Sequence, residues 1–249
     1  MTAVHPTIIS TIKELQSLPS LFNFFLAGGT NLALRYNHRI SNDIDLVSNI
    51  VIGKNGFEKI VNEVANFYGS QKVIINLINQ ELEEQFLFLR LFISKSDITI
   101  KVEILQNIQY LFAHEEYNEI KLLSKKDIGL LKLMSASNRL ANKDIYDLDY
   151  ITDENPLVEL FNDFKIKSAK FNHSKYKCIF DLDDEVSPLD DLSLLLKFDE
   201  KNKITDNKPF HSDNRIDIIE GSKTWQEARV EWRLKVRKLY THLGQTFTQ

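Results

Sequence analysis

The stretch FFLAGGTNLALRYNHRISNDIDLVS, residues 24–48, constrains the fold more than any other part of the chain. An apolar run, LFNFFLA, reads as a short buried strand and stops at the chain's one adjacent glycine pair, Gly28 and Gly29. Residues 30–36 suit a short helix, and residues 44–47 suit a second strand. The order strand, glycine turn, helix, strand leaves unpaired amides at the positive end of the helix dipole, which is an anion site. A glycine turn accepts φ > 0 and lets an anion approach the backbone. Thr30 can cap the helix and offer its hydroxyl to the same anion. Within the second strand, the alternation of an extended chain puts the side chains of Asp43 and Asp45 on one side, with Cα atoms roughly 6.5 to 7 Å apart, and turns Ile44 and Leu46 to the core. Two carboxylates about 5 Å apart repel by about 3 kcal/mol at an effective dielectric of 20. A solvated sheet edge tolerates that cost, and a bound divalent cation reverses its sign; Mg²⁺ suits such oxygen ligands beside phosphate.

The rest of the chain supplies the frame. Residues 6–18 fit an amphipathic helix with Pro6 in its first turn, and FEKIVNEVANFYG fits another with Gly69 as its stop. KVIINLI, FLFLRLFI and ITIKVEIL are β-branched and aromatic strands. The expected fold class is α/β (α+β), with a mixed sheet of about five strands, followed by a mainly helical C-terminal region. Domain bounds fall at 1–115 and 116–249. Ser124 and Asp127 form a capping-box pattern that opens a helix to about residue 138, a further helix starts near Asn142, and the last spans about 222–243. Residues 181–221 are polar and loop-rich, and no internal repeat is present.

In ITIKVEIL, Glu103 stands on the polar face with Thr99 and Lys101, and it is the candidate third carboxylate of a two-metal site. The alternative is an ordinary exposed acid beside Lys101. Asp97, in a turn, is a weaker rival. Lys132 interrupts the apolar run IGLLKLM; on one continuous helix it would share a basic stripe with Arg139 and Lys143, suited to polyphosphate, although SNRLAN can break that helix. Asp144 and Asp147 stand one turn apart, where acids also serve a helix N-terminus. DLDDE at 181–185 repeats the paired acids without a preceding glycine turn and reads as a solvated loop. The last helix carries six cations, Lys223, Arg229, Arg233, Lys235, Arg237 and Lys238, against Glu227 and Glu231, a face for solvent, RNA or an acidic partner.

Composition removes several other classes. A 249-residue chain that is 43% hydrophobic can bury a sizeable core. No run of eighteen apolar residues or signal-like N-terminus occurs, so the expectation is a cytoplasmic protein without a membrane partner. Cys178 stands alone, and no Cys or His grouping has zinc spacing. A net charge of −4 confines any polyanion contact to a local patch.

LAGGTNLALRYNHRISNDIDL resembles the signature of the polymerase-β-type nucleotidyltransferase superfamily in the form carried by abortive-infection toxins of the AbiE type. LLKLMSASNRLANKDIYDLDYI resembles the second, helical signature of the same family, and DLDDEVSPL is similar to an acidic stretch found there. This resemblance implies that Gly28, Gly29 and Thr30 cradle the triphosphate and that Asp43 and Asp45 hold metal, with Arg39 and Ser41 steadying phosphate oxygens or the aspartates. Lys132, Arg139, Asp144 and Asp147 match the second signature and would serve the nucleotide and activity. A glutamate, Glu103, stands where an aspartate is the more usual third acid. The implied activity is transfer of a nucleoside monophosphate from an NTP to a hydroxyl, with two Mg²⁺ ions as cofactor. The implied role is the toxin of a toxin–antitoxin pair, with a separate antitoxin as partner and transfer RNA or another RNA as acceptor. Nucleotidylation of an antibiotic-type small molecule, a nucleotide-binding regulator without catalysis, and a purely structural partner protein are the competing readings.

Overall fold

The computed structural model describes residues 2–139, 141–182, 185–198 and 215–247. Helix α1 (Pro6–Ser17) starts as its sequence requires: Pro6 takes a first-turn position and the His5 ring accepts from the Thr7 amide at 3.2 Å. Helix α2 (Gly28–Tyr36) follows strand β1 (Phe25–Leu26) after the single residue Ala27 and ends at Asn37, whose left-handed backbone (φ 49°) stops it. Strand β2 (Ile44–Val47) comes next, then helix α3 (Gly53–Tyr68), which ends before Gly69.

Three longer strands, β3 (Val73–Ile78), β4 (Phe88–Lys95) and β5 (Ile98–Leu105), form a meander, and two short ones, β6 (Glu115–Tyr117) and β7 (Ile120–Leu122), follow. All seven make one mixed sheet in the order β3-β4-β5-β2-β1-β7-β6. The five expected strands are present. The two additional ones are three residues each, too short for a periodic signal, and exist because β7 pairs with β1, Leu26 opposite Leu122. The sheet thus continues past residue 115. β2 runs parallel to β5, with Ile44 opposite Val102 and Asp45 opposite Glu103.

The alternation of these strands sorts their two faces. Ile44 and Leu46 of β2 join Val102 and Ile104 of β5 in a core with Ile12 and Leu15 of α1 and Phe57, Ile60 and Val64 of α3. On the other face, Val47, Phe88 and Leu105 pack at one end against the helical part of the chain. That part comprises α4 (Lys125–Arg139), α5 (Asn142–Glu154), α6 (Leu157–Lys170) and α7 (Trp225–His242). What remains between them, on the same face as the helices, is the polar row of Asp43, Asp45, Lys101 and Glu103.

Helix α4 opens at Ser124, whose hydroxyl accepts from the Asp127 amide at 3.0 Å. The Asp127 carboxylate takes the Ser124 hydroxyl at 2.7 Å and also reaches the amides of Leu111 and Phe112, at 2.7 and 3.1 Å, pinning the loop that leaves the sheet. The chain breaks between α4 and α5, so the single continuous helix on which a basic stripe was drawn does not form. Helix α7 starts three residues later than expected, at a capping box of Thr224 and Glu227. Its Trp232 is fully buried, and the indole N–H donates to the Leu195 carbonyl at 2.8 Å. Lys223, just before this helix, and Lys235 on it are ion-paired inward. Lys223 meets Asp149, Asp153 and Glu231 at 2.5 to 2.7 Å, and Lys235 meets Asp149 and Asp153 at 2.6 Å. These carboxylates lie within 4.8 Å of one another, and the lysine ammonium already occupies the position a metal would take. Of the acidic stretch at 181–185, Asp183 and Asp184 lie outside the described residues.

Candidate active site

Gly28 opens α2 with φ +65°, a conformation that L side chains resist. A Cβ there would stand 1.9 Å from Asp45 Oδ2, and one on Gly29 would stand 2.3 Å from Arg39 Nη2. The glycines therefore admit protein groups as closely as they would admit an anion. Ala27 at the N-cap offers no side-chain acceptor, so the first-turn amides of α2 keep their donors for a ligand. Thr30 is fully buried. Its hydroxyl meets Ser41 Oγ at 2.8 Å and donates to the Asp43 carbonyl, tying the turn to the segment that carries the aspartates.

The parallel register of β2 and β5 brings Asp45 and Glu103 side by side, with Asp43 two residues before on the same face. Lys101 Nζ lies 3.1 Å from Asp43 and 3.8 Å from Glu103. Arg90, opposite Glu103 across β4 and β5, donates to its Oε1 through Nε at 2.8 Å. Glu103 is 1% exposed. Despite Lys101 and Lys132, burial and the charges of Glu103 and Asp43 push the Asp45 carboxyl up to about 7. Burial pulls the Lys101 ammonium down, but Glu103, Asp43 and Asp45 outweigh it and leave its pKa raised. The cluster is thus a set of hard oxygen donors with uncompensated negative charge, which is the donor chemistry of a Mg²⁺ site. Asp43, Asp45 and Glu103 offer donors of that kind, but among the described residues the carboxylates whose oxygens all lie within 4.8 Å of one another are Asp149, Asp153 and Glu231, so a shared ion would have to draw Asp43, Asp45 and Glu103 closer together.

The opposite wall comes from the helices. Lys132 and Arg139 of α4 and Lys143 of α5 line a cleft of about 280 Å³ that also receives Gly28, Gly29, Arg39, Ser41, Asp43, Asp45, Glu103 and Asp144. The expected basic group therefore gathers, from two helices rather than one. Lys132 Nζ meets Asp144 at 2.6 Å and Asp147 at 2.7 Å, and Arg139 Nη2 meets Asp144 at 3.0 Å. Asp147, 0% exposed, also accepts both arms of Arg39 at 2.7 Å and His38 Nε2 at 2.8 Å. Burial alone would raise both aspartates; for Asp147 the charges of Arg39 and Lys132 hold the carboxyl well below its usual range, and for Asp144 those of Arg139 and Lys132 lower it. Burial keeps His38 below its ordinary pKa, so it is neutral and donates through Nε2. Asp147 and Thr30 stand behind the cleft rather than on its wall. Both aspartates orient basic side chains.

Three residues escaped the sequence reading as site members: Arg90, His38, and Lys101 as a partner of the carboxylates. Lys101 shares the strand face of Glu103, so alternation alone could have nominated it. Arg90 requires the β4–β5 register, and His38 requires the packing of α5.

Among the described residues, no helix is long and apolar enough to cross a membrane. The chain is also similar to solved proteins. A nucleotidyltransferase from H. pylori is 16% identical, with 96% of this chain and 98% of that one covered and a TM-score of 0.43. The nucleotidyltransferase toxin MenT4 from Mycobacterium tuberculosis is 14% identical, with 96% and 85% covered and a TM-score of 0.46. No match to a curated protein was found. The family model described as nucleotidyl transferase AbiEii toxin, type IV toxin–antitoxin system, matches residues 19–229, which takes in the glycine turn, the carboxylates and the basic wall. The chain belongs to this AbiEii nucleotidyl transferase toxin family.

Proposed function

We propose that this enzyme transfers a nucleoside monophosphate from an NTP to the terminal hydroxyl of an RNA, transfer RNA being the acceptor the family resemblance implies, in a Mg²⁺-dependent reaction held in check by a separate antitoxin protein. The observation that supports it best is the convergence of Asp43, Asp45 and Glu103 on one sheet face, opposite Lys132, Arg139 and Lys143 and at the mouth of the Gly28–Gly29 turn.

The Gly28 and Gly29 amides and the dipole of α2 would hold triphosphate oxygens, and Lys132, Arg139 and Lys143 would balance their charge. Arg39 and Ser41 would steady the turn from the side. Asp144 and Asp147 would position the cations: each holds Lys132, and they fix Arg139 and Arg39 respectively. The helical region, 116–249, would close over the nucleotide by bringing that basic wall down. Mg²⁺, when bound by Asp43, Asp45 and Glu103, supplies charge neutralisation and a lowered hydroxyl pKa. The acceptor oxygen forms a bond to the α-phosphorus as the bond from that phosphorus to the bridging oxygen breaks. Pyrophosphate leaves with the electron pair, and the hydroxyl proton passes to a carboxylate of the cluster. No covalent protein intermediate is required. An RNA acceptor places the reaction in the cytoplasm.

The test is incubation with α-labelled NTPs, Mg²⁺ and total RNA. Label enters RNA, and the signal disappears with chelator and in the Asp43→Asn, Asp45→Asn double variant. Label entering only a small-molecule panel overturns the RNA acceptor. Tight nucleotide binding with no pyrophosphate release overturns the enzymatic reading of the site.

A further inference from the structure

Beside the nucleotide cleft lies a second pocket of about 440 Å³, and the two share Leu131, Ser135, Arg139 and Phe180 on their walls. One wall is the end of α6 and the chain that follows it. From Phe164 to Phe180 there are five lysines, Lys165, Lys167, Lys170, Lys175 and Lys177, and no acidic residue, in a chain of net charge −4. Several lysines elsewhere are paired with acids: Lys95 with Glu14, Lys101 with Asp43, Lys223 and Lys235 with Asp149. None of these five makes an ion pair among the described residues.

Aromatic rings interleave with the charges. Lys170 lies over Phe171 at 5.1 Å and Lys175 over Tyr176 at 4.8 Å, and the two rings meet edge to face at 5.1 Å. Both rings are half-buried and reach the pocket wall, as does Phe180. A cationic track with aromatic faces is the surface that single-stranded nucleic acid needs: phosphates run along the charges and bases stack on the rings. Asp181, Glu185 and Asp190 also line the pocket, Asp181 directly after the lysine-bearing segment. Asp181 is held there by the Cys178 amide at 2.8 Å. A bound strand would lay its backbone along the lysines and turn its base toward the rings.

The geometry points to this second pocket as the acceptor seat, taking the terminal nucleotide of a single-stranded RNA with its base among Phe171, Tyr176 and Phe180 and its phosphates on the lysine track. The terminal hydroxyl then emerges at the wall shared with the cleft, where the α-phosphorus lies. This placement rests on the nucleotidyl-transfer reading above, but it concerns binding and is measured without NTP or Mg²⁺.

The probe is a short fluorescein-labelled single-stranded RNA with a free 3′ hydroxyl, titrated against the full chain by anisotropy at several salt concentrations. Lys170→Glu with Lys175→Glu, both exposed, weakens binding about tenfold or more and lowers the salt slope by about two. Lys54→Glu with Lys59→Glu on α3 changes net charge equally and leaves RNA binding unaltered. Phe171→Ala weakens RNA binding with little change in salt slope, the mark of lost stacking. Equal RNA affinity in wild type and the Lys170, Lys175 variant overturns the assignment, as does an effect of that variant on a fluorescent NTP analogue instead of on RNA. The two readings fail separately. RNA that binds through the lysines but accepts no label refutes the transfer reaction alone; RNA that is labelled with unchanged KM in the Lys170, Lys175 variant refutes this pocket alone.

Discussion

Gly28 and Asp45 define one another at the scale of single residues. The sequence explains the glycine by the anion, whereas in the folded chain the first atom a Cβ would meet is Asp45 Oδ2 at 1.9 Å. Gly28→Ala combines that clash with φ +65° and should cost about 2 kcal/mol or more, together with nucleotide binding, read by thermal unfolding and by titration with a fluorescent NTP analogue. Asp45 also carries a pH signature. Its folded pKa of about 7 lies above the unfolded value near 4. The protonated form therefore favours folding, so this contribution is complete below about pH 4 and is lost as pH rises through about 7. In metal-free protein Tm should fall between about pH 5 and 8 on account of this group. Added Mg²⁺ should raise Tm more at pH 8 than at pH 5, and Asp45→Asn should remove both effects. A Mg²⁺ response that is flat with pH would refute the assignment of Asp45 to the cation.

Between elements, the decisive contacts are buried ion pairs that join the loop before β2 to α4 and α5. Asp147 accepts from His38, Arg39 and Lys132 with no exposure to water. Asp147→Asn leaves two buried cations short of a partner and should destabilise by about 3 kcal/mol. In a urea-unfolding double-mutant cycle, Lys132→Met should recover part of the loss, because the group left unpaired is then gone. The strand alternation that places Asp43, Asp45 and Glu103 is legible from sequence, since period two depends only on an extended backbone. The partners of those groups, Lys101 apart, are not. Arg90 faces Glu103 because β4 and β5 pair in one register, and Asp147 reaches Arg39 across more than a hundred residues. Local spacing holds no record of either.

For the molecule as a whole, the consequence is cooperativity. β1 pairs with β7 beyond residue 115, Val47, Phe88 and Leu105 of the sheet share a core with Trp232 of α7, and Asp147 ties α5 to the loop before β2. A fragment ending at residue 115 loses β6 and β7 and exposes the face that Val47 and Leu105 cover. It should not fold alone, and the full chain should show coincident far-ultraviolet and tryptophan-fluorescence transitions, with Trp232 reporting on the same event as the sheet. Two separated transitions would refute this. By itself, the sequence determined the element types, the glycine turn with its paired aspartates and the family, because these depend on short-range periodicity and on residues close together in the chain. Only the tertiary structure decided that Glu103 pairs with Arg90, that the basic wall comes from two helices, and that Asp144 and Asp147 hold cations. Strand register and helix docking set those distances, and both are chosen by the burial of the whole core rather than by any local run of residues.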